Sequence, residues 1–482
     1  MVNFKNSIYI AGILVLAALV FMTVGFRPAW NDEGQYLDPG ANLALGRGFV
    51  SSGWDSSAPG AHWGSSTPGF PLLFALVFKV FGFEIWAARC VFFFAHLLGS
   101  VLMIRWADRT FGLSSGAKHG CIVAFLGAPA ISYHALYHAR LECFALLFCA
   151  WFLHLRDAWT SGSKTAVFMT AVFGAIVLMM GLHFCAFFAL AAAVSFLLAP
   201  SWGKLRYGLV LATGMLIGLL AIRIAYGHYG VWDDFIAHRT AHFGRTLPWS
   251  PSGVQRFYVT KDLGIYGVAC ILVLAWELLT RRDKLWNTRS AALGWASAAF
   301  VGIPIFMSTV GIWHAGYAWM AALPMVLATA CLFKEPASLP IKSLAVLGLL
   351  LSFAGAAREI RKIPDGLREL SQREQAVAML LSEAKPGEAV ASTFEFFYEV
   401  RKLDRDVYFR VEKANHLSLG FPQSLYFPET AKARTQWLLT CEAETPWYLE
   451  GLGGEWVEVR RYPRNDLKGD YQLFRRRQPV GQ

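Results

Sequence analysis

Two adjacent carboxylates, Asp32 and Glu33, are the residues of this chain best placed to do chemistry. They follow the first long apolar run, and Arg27 is the one ionisable group that separates that run from the pair. A carboxylate at the mouth of a membrane helix can act as a general base on a lipid-linked substrate. The alternative is that both acids cap a short interfacial helix, because acidic side chains favour helix N-termini.

A second polar cluster runs from Tyr133 to Glu142. If this segment is helical, His134, His138 and Glu142 share one face at a spacing of four residues, which suits a divalent metal. Arg140 in the same segment can bind a phosphate through two N–H groups. The alternative is an ion pair between Arg140 and Glu142, with histidines that only position two helices.

Two more groups of residues can bind a substrate. A loop over residues 227–260 is rich in aromatic and ionisable side chains, which is typical of loops that line a site, although an aromatic belt explains part of this composition. Its arginines include Arg239, Arg245 and Arg256. Further along, His314 precedes Tyr317, and this histidine either donates to a phosphate or sugar or anchors the membrane interface. The sequence contains neither a Gly-x-x-x-x-Gly-Lys-Ser/Thr motif nor a Gly-x-Gly-x-x-Gly motif after a strand, so nucleotide binding is not indicated.

The elements that must position these groups are membrane spans. The chain has 482 residues, of which 55% are hydrophobic. Apolar runs of about 18 residues recur, each long enough to cross a bilayer. We predict eleven spans, with ten or twelve as the alternatives because the third to fifth are short or polar at their ends. They lie near residues 8–26, 84–104, 119–136, 139–155, 165–181, 183–199, 207–226, 262–279, 291–310, 316–333 and 341–356.

The charge distribution orients these spans. With the amino terminus in the cytoplasm, the turns on that side carry fourteen basic and four acidic residues, which is the positive-inside pattern. Residues 357–482 are nearly neutral, so the net charge of +11 is not a nucleic-acid footprint. Eleven spans then place both the Asp32 loop and the carboxyl-terminal tail outside the cytoplasm.

The domain organisation follows from where the spans end. Residues 1–356 are predicted to form the membrane domain, whose first loop, 27–83, contains an amphipathic segment at 34–46 and a short interfacial helix at Leu72–Phe81. Residues 357–482 begin with a charged, helix-compatible stretch. Five short strand-like runs follow and predict a small α/β domain, namely Ala389–Phe397, Asp406–Val411, Trp437–Leu439, Trp456–Val459 and Tyr471–Phe474.

Four motifs in order along the chain resemble those of GT-C-fold glycosyltransferases. They are the acid pair followed by Tyr36, the run Ser66–Pro71, the triplet Arg140–Glu142, and the run His314–Pro324. The chain resembles most closely the group of protein mannosyltransferases, lipid A aminoarabinose transferases and galacturonosyltransferase-like proteins. Ser66 and Leu141 depart from that group, which has a lysine and a proline at these places.

The resemblance implies a polytopic α-helical membrane protein of about eleven transmembrane helices with a small extracytoplasmic α/β domain. It implies a glycosyltransferase in a bacterial inner membrane, which moves a hexose or pentose from a polyprenyl phosphate to an acceptor hydroxyl. The acceptor is lipid A or a polysaccharide, a protein, or another lipid. Asp32 would deprotonate the acceptor, which attacks with inversion, while Glu33 orients the acceptor or tunes Asp32.

The same resemblance assigns the remaining site residues. Positive charge must meet the departing lipid phosphate, for which the candidates are Arg140, His314, Arg239, Arg245 and Arg256. The candidates for other substrate contacts are Tyr36, His62, Glu142 and Tyr317. No cofactor is fixed by the sequence, and a divalent metal at His134, His138 and Glu142 stays open.

Two other functions compete with this one. A transporter or lipid flippase would also have many spans and intramembrane charges, but a soluble tail and the lack of a detectable inverted repeat argue against it. A non-catalytic GT-C-like subunit would bind lipid or a partner through its tail, and the presence of Asp32 and Arg140 argues against that.

Overall fold

The computed structural model describes residues 25–243 and 360–477, with isolated positions between 343 and 357. Within these ranges the description omits residues 26, 30, 53–61, 128–140, 161, 199–200, 404, 410–426, 428 and 465–468. The spans predicted at 262–279, 291–310 and 316–333 lie outside the described residues, as does all but Gly25 of the predicted first span.

The described secondary structure is mostly helical as far as residue 383 and mixed after it. The helices are α1 (Asn31–Ala44), α2 (Gly69–Phe81), α3 (Ile85–Phe111), α4 (Ser115–Gly127), α5 (Ala145–Thr160), α6 (Lys164–Met180), α7 (Leu182–Leu198), α8 (Trp202–His228), α9 (Trp232–Phe243), α10 (Ile363–Glu383), α11 (Phe397–Arg401), α12 (Glu429–Arg434) and α13 (Thr445–Leu452). The strands are β1 (Ala389–Ser392), β2 (Val407–Phe409), β3 (Thr435–Cys441), β4 (Trp456–Tyr462) and β5 (Tyr471–Arg476). Short 3₁₀ turns at Leu141–Phe144 and Phe394–Phe396 precede α5 and α11.

The chain divides into two compact units. The span unit consists of Met1–Val24, Cys90–Ile224 and Phe243–Arg361. The loop–tail unit consists of Gly25–Arg89, Ala225–His242 and Lys362–Gln482. The boundary at Arg361 lies close to the predicted start of the tail, and the first loop clusters with that tail.

Two described helices are long and apolar enough to cross a membrane, over Ile85–Thr110 and Trp202–His228. Shorter apolar helices cover Gly69–Phe81, Lys164–Met180 and Leu182–Ala193. Helices therefore occur where spans are predicted near 84–104, 165–181, 183–199 and 207–226, and the total of eleven stays a prediction.

Helices α6 and α8 of the span unit pack at close range through glycine. A Cβ atom added at Gly174 would overlap the carbonyl oxygen of Leu211, and one added at Gly214 would overlap the carbonyl oxygen of Ala171. Small residues let helix backbones approach closely, which is the usual way that helices associate in a membrane. These glycines therefore define the contact between the two helices.

The tail folds around one five-stranded sheet in the order β2-β1-β3-β5-β4. Strand β1 is parallel to β2 and β3, while β5 is antiparallel to β3 and β4. Strand β3 lies at the centre and is buried at all but one position, as expected of a strand covered on both faces. The predicted five-strand α/β tail agrees with this sheet, although its first strand ends at Ser392 rather than at Phe397.

Candidate active site

Helix α1 carries the acid pair in its first turn, where negative charge is favourable. Asp32 is half-buried, whereas Glu33 is 0% exposed. Consecutive helical side chains point about 100° apart, so the two carboxylates have different surroundings. Tyr36 lies one turn after Asp32 on the same face, and its ring meets the ring of Phe70 edge-on, with 6.1 Å between the centroids.

The Glu33 carboxylate is bound by two buried side chains. Arg89 Nε donates to Oε1 at 3.0 Å and Arg89 Nη2 donates to Oε2 at 2.9 Å, which is a two-point ion pair. The hydroxyl of Tyr398, from the tail, donates to Oε1 at 2.8 Å. Breaking one partner of a buried ion pair costs about 3–5 kcal/mol, so these contacts hold the amino-terminal end of α1 firmly.

Arg89 also fixes the chain that leads into α1. Its Nη1 donates to the carbonyl oxygen of Arg27 at 2.9 Å, and its Nη2 donates to that of Pro28 at 3.1 Å. One guanidinium thus joins the entry to α1 with the second acid of the pair. The position of Asp32, which lies between these points in sequence, follows from them.

Tyr398 is suited to be a permanent donor. Burial raises the pKa of the Tyr398 phenol well above its usual range, and the adjacent negative charge of Glu33 raises this pKa further. The phenol therefore keeps the proton that it donates to the carboxylate.

A second carboxylate of α1, Asp38, is also fully buried and bound. Arg401 Nη2 lies 2.5 Å from Asp38 Oδ1. The hydroxyl of Ser51 and the backbone N–H of Ser52 donate to Asp38 Oδ2 at 2.7 Å and 2.9 Å. The loop that leaves α1 is therefore tied back to the helix at Asp38.

Close backbone approach completes the packing of α1. A Cβ atom at Gly34 would overlap the ring of Phe394, so this aromatic ring lies directly on the helix backbone between the two buried acids. A Cβ atom at Gly40 would overlap the carbonyl oxygen of Pro71 in α2. Glycine at both positions is what permits these contacts.

The segment His62–Phe70 contacts α1 and also residues of α8 and α9. Tyr226 donates its hydroxyl proton to the carbonyl oxygen of Ser66 at 2.7 Å, and Arg239 Nη2 donates to that of Ser65 at 2.6 Å. The ring of His62, which is exposed, lies 4.3 Å from that of Tyr229, measured between centroids. Through Phe70 the same segment meets Tyr36, so it connects the predicted site residues of both loops.

The predicted site residues divide by location. Those in the loop–tail unit are Asp32, Glu33, Tyr36, His62 and Arg239. Glu142 belongs to the span unit, where it is buried in a 3₁₀ turn. Those outside the described residues are His134, His138, Arg140, Arg245, Arg256, His314 and Tyr317. The roles of all these residues stay predictions.

One group of three potential metal ligands occurs among the described residues. Ligand atoms of Glu395, Cys441 and Glu444 lie within 4.8 Å of one another. Glu395 is already ion-paired with Arg464, whose Nη1 lies 2.7 Å from Glu395 Oε2. Because that pairing accounts for the buried Glu395 charge, we assign no metal to this group.

Sequence reasoning missed four residues of this arrangement, namely Arg89, Tyr398, Asp38 and Arg401. Arg89 carried a usable signal, because a charge inside a predicted span is costly unless it is paired. Tyr398 carried none, since it directly follows the aromatic run that was predicted as the first strand of the tail. The structure places it on α11 instead, 365 positions from Glu33.

Comparison with known proteins gives a fold likeness alone. No protein-family model and no curated protein matches the chain. The crystal structure of ArnT from Cupriavidus metallidurans bound to undecaprenyl phosphate matches with a TM-score of 0.58 at 16% identity, over 98% of each chain. ArnT from the same organism in the apo state matches with a TM-score of 0.59 at 16% identity, over 98% of this chain and 97% of that one. The chain therefore shares the fold of these ArnT structures, which confirms the fold resemblance indicated by its motifs.

Proposed function

We propose that this protein is a membrane glycosyltransferase that moves a sugar from a polyprenyl-phosphate donor to an acceptor hydroxyl. The observation that supports this most is the fold that it shares with ArnT over 98% of both chains, because that ArnT structure holds undecaprenyl phosphate. A sugar linked to such a lipid has a phosphate as its leaving group. The donor sugar is a hexose or a pentose, and the acceptor belongs to an envelope glycan, a protein or a lipid.

Asp32 is the proposed general base. Its neighbour Glu33 is fully buried and engaged with Arg89 and Tyr398, so Glu33 serves to position the helix. The Asp32 carboxylate takes the proton of the acceptor hydroxyl, and the acceptor oxygen forms a bond to the anomeric carbon. The bond from that carbon to the phosphate oxygen breaks on the opposite face, and the phosphate leaves with the electron pair, which inverts the configuration.

Positive charge must meet the phosphate as it leaves. We propose that this charge comes from Arg140, His314, Arg239, Arg245 and Arg256. Arg239 lies beside the segment that contacts Tyr36 through Phe70, because its Nη2 donates to the carbonyl oxygen of Ser65 in that segment. Tyr36, His62, Glu142 and Tyr317 are proposed to contact the sugars.

The proposed location follows from the charge pattern. The site and the tail face the extracytoplasmic side of a bacterial inner membrane, because basic turns stay in the cytoplasm. Labelling of single exposed cysteines with an impermeant maleimide in intact spheroplasts tests this orientation. We expect the variant Asp365→Cys to be labelled in intact spheroplasts. Labelling only after lysis would show that the tail lies in the cytoplasm and would contradict the proposed orientation.

The reaction class is tested with purified protein in liposomes and a panel of undecaprenyl-phosphate sugars carrying a radiolabelled sugar. We expect stoichiometric formation of undecaprenyl phosphate and a labelled glycoside when an envelope extract supplies the acceptor. Movement of the intact donor between leaflets without any glycoside would instead identify a flippase. If the protein binds the donor but neither forms a glycoside nor moves the donor between leaflets, it is a non-catalytic subunit.

A further inference from the structure

One short helix of the tail contacts both buried acids of α1. Tyr398 and Arg401 are three residues apart on α11, so they share one face, and each is 3% exposed. Tyr398 donates to Glu33, and Arg401 is ion-paired with Asp38. These two acids are five residues apart on α1, which corresponds to about 7.5 Å along the helix axis.

Aromatic packing reinforces this contact. The ring of Phe83 stacks on that of Tyr398, with 5.5 Å between the centroids, and meets the ring of Phe397 edge-on at 5.6 Å. The ring of Phe394 covers Gly34 between the two acids. The ring of Tyr398 is thus packed against Phe83 while its hydroxyl is bound to Glu33.

The loop after α1 is fastened to the same part of the tail. Arg401 Nη2 donates to the hydroxyl oxygen of Ser52 at 2.7 Å, and that hydroxyl donates to the carbonyl oxygen of Val407 at 2.7 Å. Arg47 Nη2 donates to the carbonyl oxygen of Leu403 at 2.8 Å. The tail therefore holds α1 and its continuation at several separate points.

We propose that α11 is a positioning element of the active site, and that its Tyr398 and Arg401 set the position and rotation of α1 and therefore of Asp32. This inference rests on the proposed function, and it means that residues of the tail help to position the catalytic helix. A helix held at two points can neither slide nor rotate without breaking a buried contact. Misplacing a reacting group by about 1 Å can cost about 100-fold in rate, so small shifts of α1 matter.

The matched test compares Tyr398→Phe with Tyr448→Phe. Tyr448 is also a buried tyrosine of the tail, and its hydroxyl donates to the carbonyl oxygen of Ser392 at 3.1 Å. We expect Tyr398→Phe to lower kcat about 10-fold with a KM for the lipid donor within about 2-fold of wild type, and Tyr448→Phe to leave both unchanged. Equal losses of kcat in the two variants, or none in Tyr398→Phe, would overturn the inference.

A second comparison tests Arg401 with its own control. Arg401→Lys keeps the positive charge but loses the planar fork of donors, whereas Arg401→Met loses both. We expect kcat to fall in the order wild type, Arg401→Lys, Arg401→Met. Arg464→Met, which breaks another buried ion pair of the tail, is expected to change thermal stability without this effect on kcat.

Hydrogen exchange separates a failure of this inference from a failure of the proposed function. In Tyr398→Phe the amides of α1 are expected to exchange at least about 10-fold faster, the smallest factor that corresponds to losing one hydrogen bond to a charged group, while Tyr448→Phe leaves them unchanged. Faster exchange in a protein that turns over no donor would contradict the function and keep the positioning role. Unchanged exchange and kcat in an active protein would remove that role.

Discussion

The acid-bearing helix α1 and the paired helices α6 and α8 all pack closely through glycine, but only α1 is also held, among the described contacts, by fully buried ion pairs. Helix α1 is held by buried charges, through Glu33 with Arg89 and Asp38 with Arg401. Helices α6 and α8 are held by close backbone packing at Gly174 and Gly214. A buried ion pair requires both partners, because removing one leaves an uncompensated buried charge, whereas close packing requires only a side chain of the right volume. This difference supports the proposal that the position of α1 matters for the reaction.

The largest expected effect comes from Glu33→Gln, which keeps the volume of the side chain and removes its charge. Arg89 would then be buried without its counter-charge, so we expect a loss of about 3–5 kcal/mol in the free energy of unfolding. Thermal unfolding in detergent measures the effect. The double variant Glu33→Gln/Arg89→Met is expected to recover part of the loss, and no recovery would show that the charge pair is not the cause.

An intermediate effect is expected from Gly214→Ala in α8. The added methyl group meets the backbone of α6, so overpacking is expected to cost about 1–3 kcal/mol. The matched control is Gly208→Ala in the same helix, where the new Cβ atom meets its nearest neighbour, the Cβ atom of Ala192, at 4.0 Å. That control should be neutral or stabilising, and equal losses in both variants would contradict the packing account.

The smallest effect is expected from Lys402→Ala. Lys402 Nζ lies 2.6 Å from Glu84 Oε1, but both side chains are exposed, at 41% and 53%. Exposed pairs contribute about 0–1 kcal/mol and are screened by salt. If Lys402→Ala lowered the free energy of unfolding as much as Glu33→Gln, the buried ion pair of α1 would be no stronger than an exposed one, which would contradict the account.

The sequence predicted the elements better than it predicted their contacts. The amphipathic segment near 34–46 indicated a helix, and α1 begins earlier, at Asn31, so that it includes the acid pair. Short strand-like runs also indicated the tail strands, but the first run was extended to Phe397, beyond the end of β1 at Ser392, because bulky aromatic residues favour strands as well.

The contacts of α1 with the tail are tertiary contacts between segments that are distant in the sequence. Asp32 could be selected from its position after an apolar run, and Arg89 could have been selected as a charge in a span. No local pattern links Tyr398 or Arg401 to acids more than 350 positions earlier. Such pairs form only when the sheet of the tail and the first loop are folded together, so single-sequence reasoning had no signal for them.

The rate of undecaprenyl-phosphate release by Asp32→Asn, beside wild type, tests the central claim most directly. The matched control is Asp365→Asn, which makes the same change at an exposed residue in the first turn of α10. Asparagine cannot accept the acceptor proton, so we predict a loss of at least about 100-fold in kcat for Asp32→Asn, with normal folding, and no loss in the control. Turnover by Asp32→Asn at the wild-type rate would contradict the assignment of Asp32 as the base.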